Sequence, residues 1–359
     1  MKKEIKTFSL FSILIITLIL TSFNFVSPAS AKDLIIKMGS YDPVLVLDQK
    51  KSNGEFASTN VKCQAFKDII EQMTGGRIKV NVYPNGQLGD DMEMLEMLQA
   101  GTAPMSGYPG SPLPNFAPEA LTVSISYIFK DVNVARRVMN GPFGDELAES
   151  IVKTSGIRVL AWGFEAPYYN FMSVKKRIRV PSDMKGQKIR TMETPHLMEA
   201  VRVAGGTPTP ISYSEMYTSL QQGVIDGVIT GIPYAHSSKI TELIKYVCKS
   251  DPFMGISNIY ASEKWWKKLS AEDKYLIKNA AMQAMASFDG LVTWSEGMWP
   301  KFFTSIGIEV YSPNQEEMQV WRDTLKGHML EWTRKKIGDK WVDKIVKASD
   351  EAEKALYGE

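Results

Sequence analysis

The chain has 359 residues, 44% hydrophobic and 23% charged, with 42 Lys and Arg against 40 Asp and Glu. That near-neutral balance, without a basic stripe, argues against a nucleic-acid binder. A single core stops growing at about 250–300 residues, so the length predicts two globular lobes.

The chain opens on an export signal. Lys2, Lys3 and Lys6 give a basic start, Phe8 to Leu20 an apolar run, and Ala29-Ser30-Ala31 a small-residue cleavage site. The run has thirteen residues. As a helix it reaches roughly 20 Å, short of the ~30 Å hydrocarbon core. Cleavage after Ala31 leaves 328 residues, 39 basic and 39 acidic, with no later span fit for a membrane. The expected product is a soluble periplasmic protein, not embedded in the membrane.

Leu34 to Ser40 reads as a buried strand, followed by a polar loop over Tyr41–Thr59. Cys63, Phe66, Ile70 and Met73 share one face of a helix that ends at Gly75-Gly76. Ile78, Val80 and Val82 alternate in the next strand, Pro84-Asn-Gly86 turns it, and Met92 to Leu98 is a helix closed by Gly101. Strand–helix–strand–helix alternation implies a mainly parallel α/β sheet. Ser106 to Pro118 is proline- and glycine-rich, hence a loop able to line a cleft.

Asp131 to Lys153 is expected as helix and Ile157 to Gly163 as strand. Lys188-Ile-Arg190 then ends a short strand, and Glu215 to Gly223 is a helix leading into a strand through Asp226-Gly227. Lys245 to Cys248 reads as another strand. Ala271 to about Phe303 is one long helix that tolerates Gly290 and Gly297 and kinks or ends at Pro300, with charged amphipathic helix over Asn314–Leu356. No repeat or flexible tether divides the chain, so lobes must be joined by crossing strands. The expected division assigns 32–158 with 252–292 to one lobe and 159–251 with 293–359 to the other.

The chain lacks Gly-x-Ser-x-Gly, His-Glu-x-x-His, Cys-x-x-Cys, Gly-x-x-x-x-Gly-Lys and Gly-x-Gly-x-x-Gly. Neither an enzyme nor a cofactor is implied. The three histidines, His196, His236 and His328, read as solvated positions rather than metal ligands. Cys63 and Cys248 lack metal-ligand spacing; one disulfide and two separately buried thiols are the alternatives, the thiols favoured.

Arg190 carries the strongest chemical signal. Its fixed, forked donors at a strand end suit an oxyanion, although a surface arginine fits the local pattern as well. Tyr108, Trp162, Glu165, Tyr168, Tyr169, Met192 and Tyr234 lie at strand ends or in adjoining loops, where open α/β sheets bind ligands. Filling the core between lobes is the competing role for each aromatic.

Four motifs then stand in register: Gly86-Gln-Leu-Gly89, Pro181-Ser-Asp-Met-Lys-Gly-Gln-Lys-Ile-Arg190, Ala204-Gly-Gly-Thr-Pro208, and Glu215-Met-Tyr217-x-x-Leu220-Gln-x-Gly223-Val-Ile-Asp226-Gly227. Together with Trp265 to Asp273 they resemble the extracytoplasmic solute-binding proteins of tripartite ATP-independent periplasmic (TRAP) transporters. The likeness runs over essentially the whole mature chain. It implies an α/β, two-lobe periplasmic-binding-protein-like fold of type II, joined by crossing strands and a long spanning helix. It further implies hinge closure on an organic anion and delivery to a permease with a small four-helix subunit and a large subunit, driven by an ion gradient. The family's carboxylate-binding arginine falls on Arg190; Glu215 and Tyr217 fall on supporting positions, and Thr230, Gly231 and Tyr234 at the pocket end of a strand.

Two departures bear on the solute. Many members carry a second basic residue in the strand before Pro-x-Asp, where Ala166 to Met172 here contains no arginine. A Glu-Trp or Glu-Asn pair used elsewhere for metal or solute is replaced by Ile229-Thr230. One cation predicts a monoanion, a carboxylate or sulfonate, without a bridging metal. The binding protein of an ATP-driven importer, a secreted enzyme on the same scaffold and a ligand-presenting partner of a sensor kinase are the alternatives.

Overall fold

A computed structural model describes residues 32–40 and 60–358. The expected export signal and the expected loop over Tyr41–Thr59 lie outside the described residues. Among the described residues nine strands form one mixed sheet in the order β2-β1-β3-β8-β4-β7-β5-β6, with β9 pairing β8 off that path. The strands are β1 (Leu34–Gly39), β2 (Ile78–Tyr83), β3 (Met105–Ser106), β4 (Ile157–Ser173), β5 (Lys188–Thr191), β6 (Thr207–Pro210), β7 (Gly227–Gly231), β8 (Tyr246–Ser262) and β9 (Glu309–Tyr311).

Two long antiparallel strands organise the sheet. β4 and β8, 17 residues each, pair along their length. The far end of β8 pairs with β3 at Tyr260 and Ala261, and its beginning with β9 from Tyr246 to Cys248. β4 meets β7 only over Tyr169–Ser173. Consecutive β4 residues face opposite ways, Phe171 into one apolar cluster and Met172 into another, so helices cover both faces. The sequence pattern located only the first parts of β4 and β8. Both strands run on past those parts, through Glu165-Ala-Pro167 and Asp251-Pro252, by shifting register.

Helices flank the sheet: α1 (Asn60–Met73), α2 (Asp91–Ala100), α3 (Val132–Met139), α4 (Pro142–Ser155), α5 (Pro195–Val203), α6 (Met216–Gln221) and α7 (Ile232–Ser237). They continue as α8 (Glu263–Trp266), α9 (Ala271–Glu296), α10 (Trp299–Ser305), α11 (Gln315–Ile337) and α12 (Asp339–Tyr357). α1 buries Cys63, Phe66 and Ile70 as its spacing predicts, whereas Met73 is exposed.

The predicted helix over Asp131–Lys153 is two helices. Pro142 sits in the first turn of α4, where its missing N–H costs nothing, and Gly144 packs on the carbonyl of Met139. A Cβ at Gly144 would lie 1.9 Å from that oxygen, so only glycine permits this corner. The long helix also divides: α9 stops at Gly297, and Pro300 opens α10 rather than ending α9. Gly338 separates α11 from α12 with φ 81°, a conformation glycine adopts without strain.

Cys63 and Cys248 are each buried and not bridged; burial pushes the Cys248 thiol up to about 12. His196 corrects its predicted solvated place. It is buried edge-on to Phe253, with ring centroids 5.7 Å apart, and burial pushes its imidazole down to about 3, which keeps it neutral. His328 is exposed as expected, with Nε2 2.9 Å from Glu199.

Candidate functional site

The candidate site is a cavity of about 480 Å³ outside the carboxyl ends of β2, β5 and β6. Three stretches build its walls: the turn after β2 with the start of α2, the end of β5, and Ile211–Glu215 between β6 and α6. Pro112, from the proline-rich loop, also lines it.

Local chemistry fixes the first wall. Gly86 and Gly89 adopt positive φ, 64° and 140°, in the Gly-Gln-Leu-Gly turn. Asp90 caps α2 by accepting from the amides of Met92 and Glu93, while Glu93 accepts from the Asp90 amide, a reciprocal capping box. The hydroxyl of buried Tyr108 donates to the Gly89 carbonyl at 2.7 Å, so Tyr108 braces the turn from behind.

Arg190 forms part of the second wall. Parallel pairing of β5 with both β6 and β7 holds its backbone, and the residue is fully buried. Its Nε donates to the Ile211 carbonyl at 2.8 Å, which fixes the plane of the guanidinium. Met192 lines the cavity two residues on. Asp226 holds the base of this region: its carboxylate accepts from the Lys188 amide at 2.9 Å and from Lys175 at 2.5 Å. Burial alone would raise that carboxyl; Lys175 and the Lys188 amide outweigh it and hold the group below its ordinary value.

The other expected residues lie at different depths. Glu165 is fully buried and accepts the Tyr169 phenol at 2.5 Å. Burial first, then Glu165, pushes that phenol well above its ordinary value, while Ser111 bonds it from the residue before Pro112. Thr230 is buried in β7 opposite Asn170, and Tyr234 is buried in α7. Trp162 lies elsewhere, in a separate groove of about 580 Å³ between the α3–α4 corner, β4 and α9, with its indole N–H on the Gly144 carbonyl at 3.2 Å. Tyr168 lines a third, small cavity with Asp251 and Glu296.

Sequence reasoning missed Tyr213, Ser212 and Asn85 as wall residues. Tyr213 is anchored through its hydroxyl to Ser237 at 2.8 Å and the Tyr234 carbonyl at 3.3 Å. Glu215 lines the cavity and accepts from Ser212 at 3.0 Å, while Tyr217 donates to Glu242 at 2.9 Å. The turn composition Ser212-Tyr-Ser-Glu215 was the available signal. Among the described residues the cavity lining carries one cation, Arg190, against five carboxylates: Asp90, Asp91, Glu93, Glu193 and Glu215.

The model of bacterial extracellular solute-binding protein family 7 (DctP) matches residues 54–336. That span is most of the chain. This protein belongs to family 7. Its members are transport binding proteins of the TRAP class rather than enzymes, and they work outside the cytoplasm. A solute-binding protein of Verminephrobacter eiseniae is 32% identical over 232 residues, which cover 65% of this chain and 69% of the relative. The C4-dicarboxylate-binding protein DctB of Bacillus subtilis is 27% identical over 267 residues, 72% of this chain and 74% of DctB. A TRAP periplasmic solute-binding protein from Polaromonas sp. JS666, solved bound to D-erythronate, superposes with a TM-score of 0.78 at 28% identity and covers 87% of this chain and 98% of its own.

The family 7 protein therefore has the two-lobe α/β fold of these relatives. Its resemblances favour neither an ATP-driven importer nor a sensor kinase. Among the described residues no helix is long and apolar enough to cross a membrane, and no group of three or more His, Cys, Asp or Glu is placed to hold a metal.

Proposed function

We propose that this protein captures a small organic monoanion, a carboxylate or sulfonate, between its lobes and delivers it to a TRAP permease. Arg190 clamps the anionic group, and Met192, Thr230, Tyr108, Tyr169, Glu165 and Tyr234 shape or brace the pocket, with Tyr168 and Trp162 further out. One observation carries the reading: a buried, plane-fixed guanidinium is the only cation among the described residues that line a 480 Å³ cavity. Five carboxylates share that lining, so a second anionic end on the solute meets like charge and loses hydration without return. The named relatives include binders of both a hydroxy-monocarboxylate and C4 dicarboxylates, which leaves the choice to the cavity.

A thermal-shift series of equal carbon number tests this: D-erythronate, 4-hydroxybutyrate, butane-1-sulfonate and succinate. Binding at a hundredfold excess over Kd adds about 2.7 kcal/mol of apparent stability. The monoanions are expected to raise the midpoint and succinate to raise it least. Succinate as the strongest stabiliser would overturn the monoanion assignment and leave family membership untouched.

The export route is part of the proposal: secretion, cleavage after Ala31, then encounter with the permease's small four-helix and large subunits in the periplasm. Mass measurement of the secreted protein should give an N-terminus at Lys32. Retention of residues 1–31 would contradict this.

A further inference from the structure

One small cavity lies where β4, β8 and the end of α9 meet. β4 pairs with β8 up to Ala166 opposite Gly255, then Tyr169 faces Phe253, and Phe171 faces Cys248. Between the last two pairs β4 advances two residues while β8 advances five, so Lys249–Pro252 bulge out of the ladder. Asp251 takes φ 50° there, a left-handed conformation that acidic and amide residues tolerate better than most. α9 ends beside the bulge at Glu296. The cavity enclosed by Tyr168, Asn170, Lys249, Asp251 and Glu296 has about 20 Å³, room for roughly one water.

We propose that Asp251 is a proton-binding hinge group, its carboxyl holding a proton while the lobes are closed and losing it to water as they open. The inference rests on the two-lobe capture reading above and concerns the hinge rather than the solute pocket. β4, β8 and α9 are the segments that must bend when the lobes part, and their bending changes the water around this carboxyl first. Asp251 is half-buried as a residue, and the protein around its carboxyl withholds water and pushes it up to about 7.

The neighbours divide by sign. Burial dominates; Lys249 on β8 opposes it, Glu296 on α9 adds to it, and Asn170 on β4 opposes it. In the amide orientation that satisfies both its ends, Asn170 donates to Asp251 Oδ1 at 2.9 Å and to the Cys248 carbonyl at 3.1 Å. Burial also raises Glu296, against Lys249 and Arg136, and it raises the phenol of Tyr168 and the thiol of Cys248. Tyr127, packed from the segment before α3, donates to the Ser250 carbonyl at 2.8 Å; its own phenol is raised by burial and Asp251, with Arg322 of α11 opposing.

The sign follows from linkage. Open, hydrated Asp251 returns toward the ordinary carboxylate value of about 4, so closing takes up a proton between about pH 4 and 7. Closed population therefore falls as pH rises through that window and levels off above 7.

Electron–electron distance measurement on spin labels at K79C in β2 and K185C, both exposed positions in the wild-type chain, reads the lobe separation without solute. Both native thiols are buried and stay unlabelled. The ratio of short to long distances should fall by up to about tenfold per pH unit between pH 5 and 7. D251N, which keeps shape and tolerates the left-handed φ, should make the ratio independent of pH. E296Q removes a neighbouring negative charge and should move the window to lower pH. A ratio constant in the wild-type background, or one that keeps its pH dependence in D251N, would overturn the proposal. Because no solute is added, failure here is separate from failure of the monoanion reading.

Discussion

Arg190→Met should weaken affinity for the best monoanion of the thermal-shift series by about 30-fold to several-thousand-fold. Truncating one member of a desolvated, hydrogen-bonded charge pair costs 2–5 kcal/mol or more, and each 1.4 kcal/mol is tenfold. The geometry favours the upper part of that range. Arg190 is fully buried at the end of β5, and its Nε is anchored on the Ile211 carbonyl, so the fork does not reorient to suit a wrong anion. Arg190→Met also leaves that carbonyl without its donor, at a stability cost of about 1–3 kcal/mol. Chemical denaturation measured beside calorimetry separates the two effects.

Arg190→Lys sharpens the test. It keeps one positive charge but replaces a planar fork with a compact ammonium on a flexible stem, so binding should be weakened less than in Arg190→Met yet remain at least about tenfold below wild type. Wild-type affinity in a folded Arg190→Met would remove Arg190 from the site. Equal affinity of Arg190→Lys and wild type would show that charge, not forked geometry, governs recognition.

The place of Arg190 in the cavity wall was legible only through the register of its motif with the other three, since the local pattern fitted a surface arginine equally well. Gly86 and Gly89 were legible locally, since their positive φ is a backbone requirement that appears directly as residue type. Trp162 and Tyr168 were not. On a sheet covered on both faces, alternation says that neighbouring side chains diverge but not which face meets the cavity. Trp162 thus lies in the groove beside α9, and Tyr168 at the hinge. Tyr213 was hidden because its position depends on Ser237 and the Tyr234 carbonyl, more than twenty residues away.

Length errors have a common cause. Asp251-Pro252 has the composition of a strand end, but β8 absorbs it as a bulge because β4 continues to pair on both sides. The opposite error, one helix over Asp131–Lys153, arose because Asn140-Gly-Pro142 was outweighed by helical periodicity on either side. In both cases the tertiary partner, not the local propensity, decided the boundary.

Trp321→Ala should be the most destabilising of the substitutions considered, at about 3–5 kcal/mol for the lost ring alone. Trp321 in α11 is fully buried, stacks on Phe171 of β4 with centroids 5.2 Å apart, and donates its indole N–H to the Arg179 carbonyl at 2.8 Å. It therefore ties a C-terminal helix both to a strand crossing the sheet and to the segment leading into the Pro181 turn. Trp321→Phe retains most of the apolar area but not the hydrogen bond to the Arg179 carbonyl, so it should cost less than the alanine variant, about 1 kcal/mol for the bond. Denaturant titration should show both variants with lowered midpoints, and unchanged slopes if unfolding stays cooperative. Against a typical total of 5–15 kcal/mol, the alanine variant approaches the limit of folding. A loss below about 1 kcal/mol in Trp321→Ala would mean that α11 is not tied to the sheet through this ring.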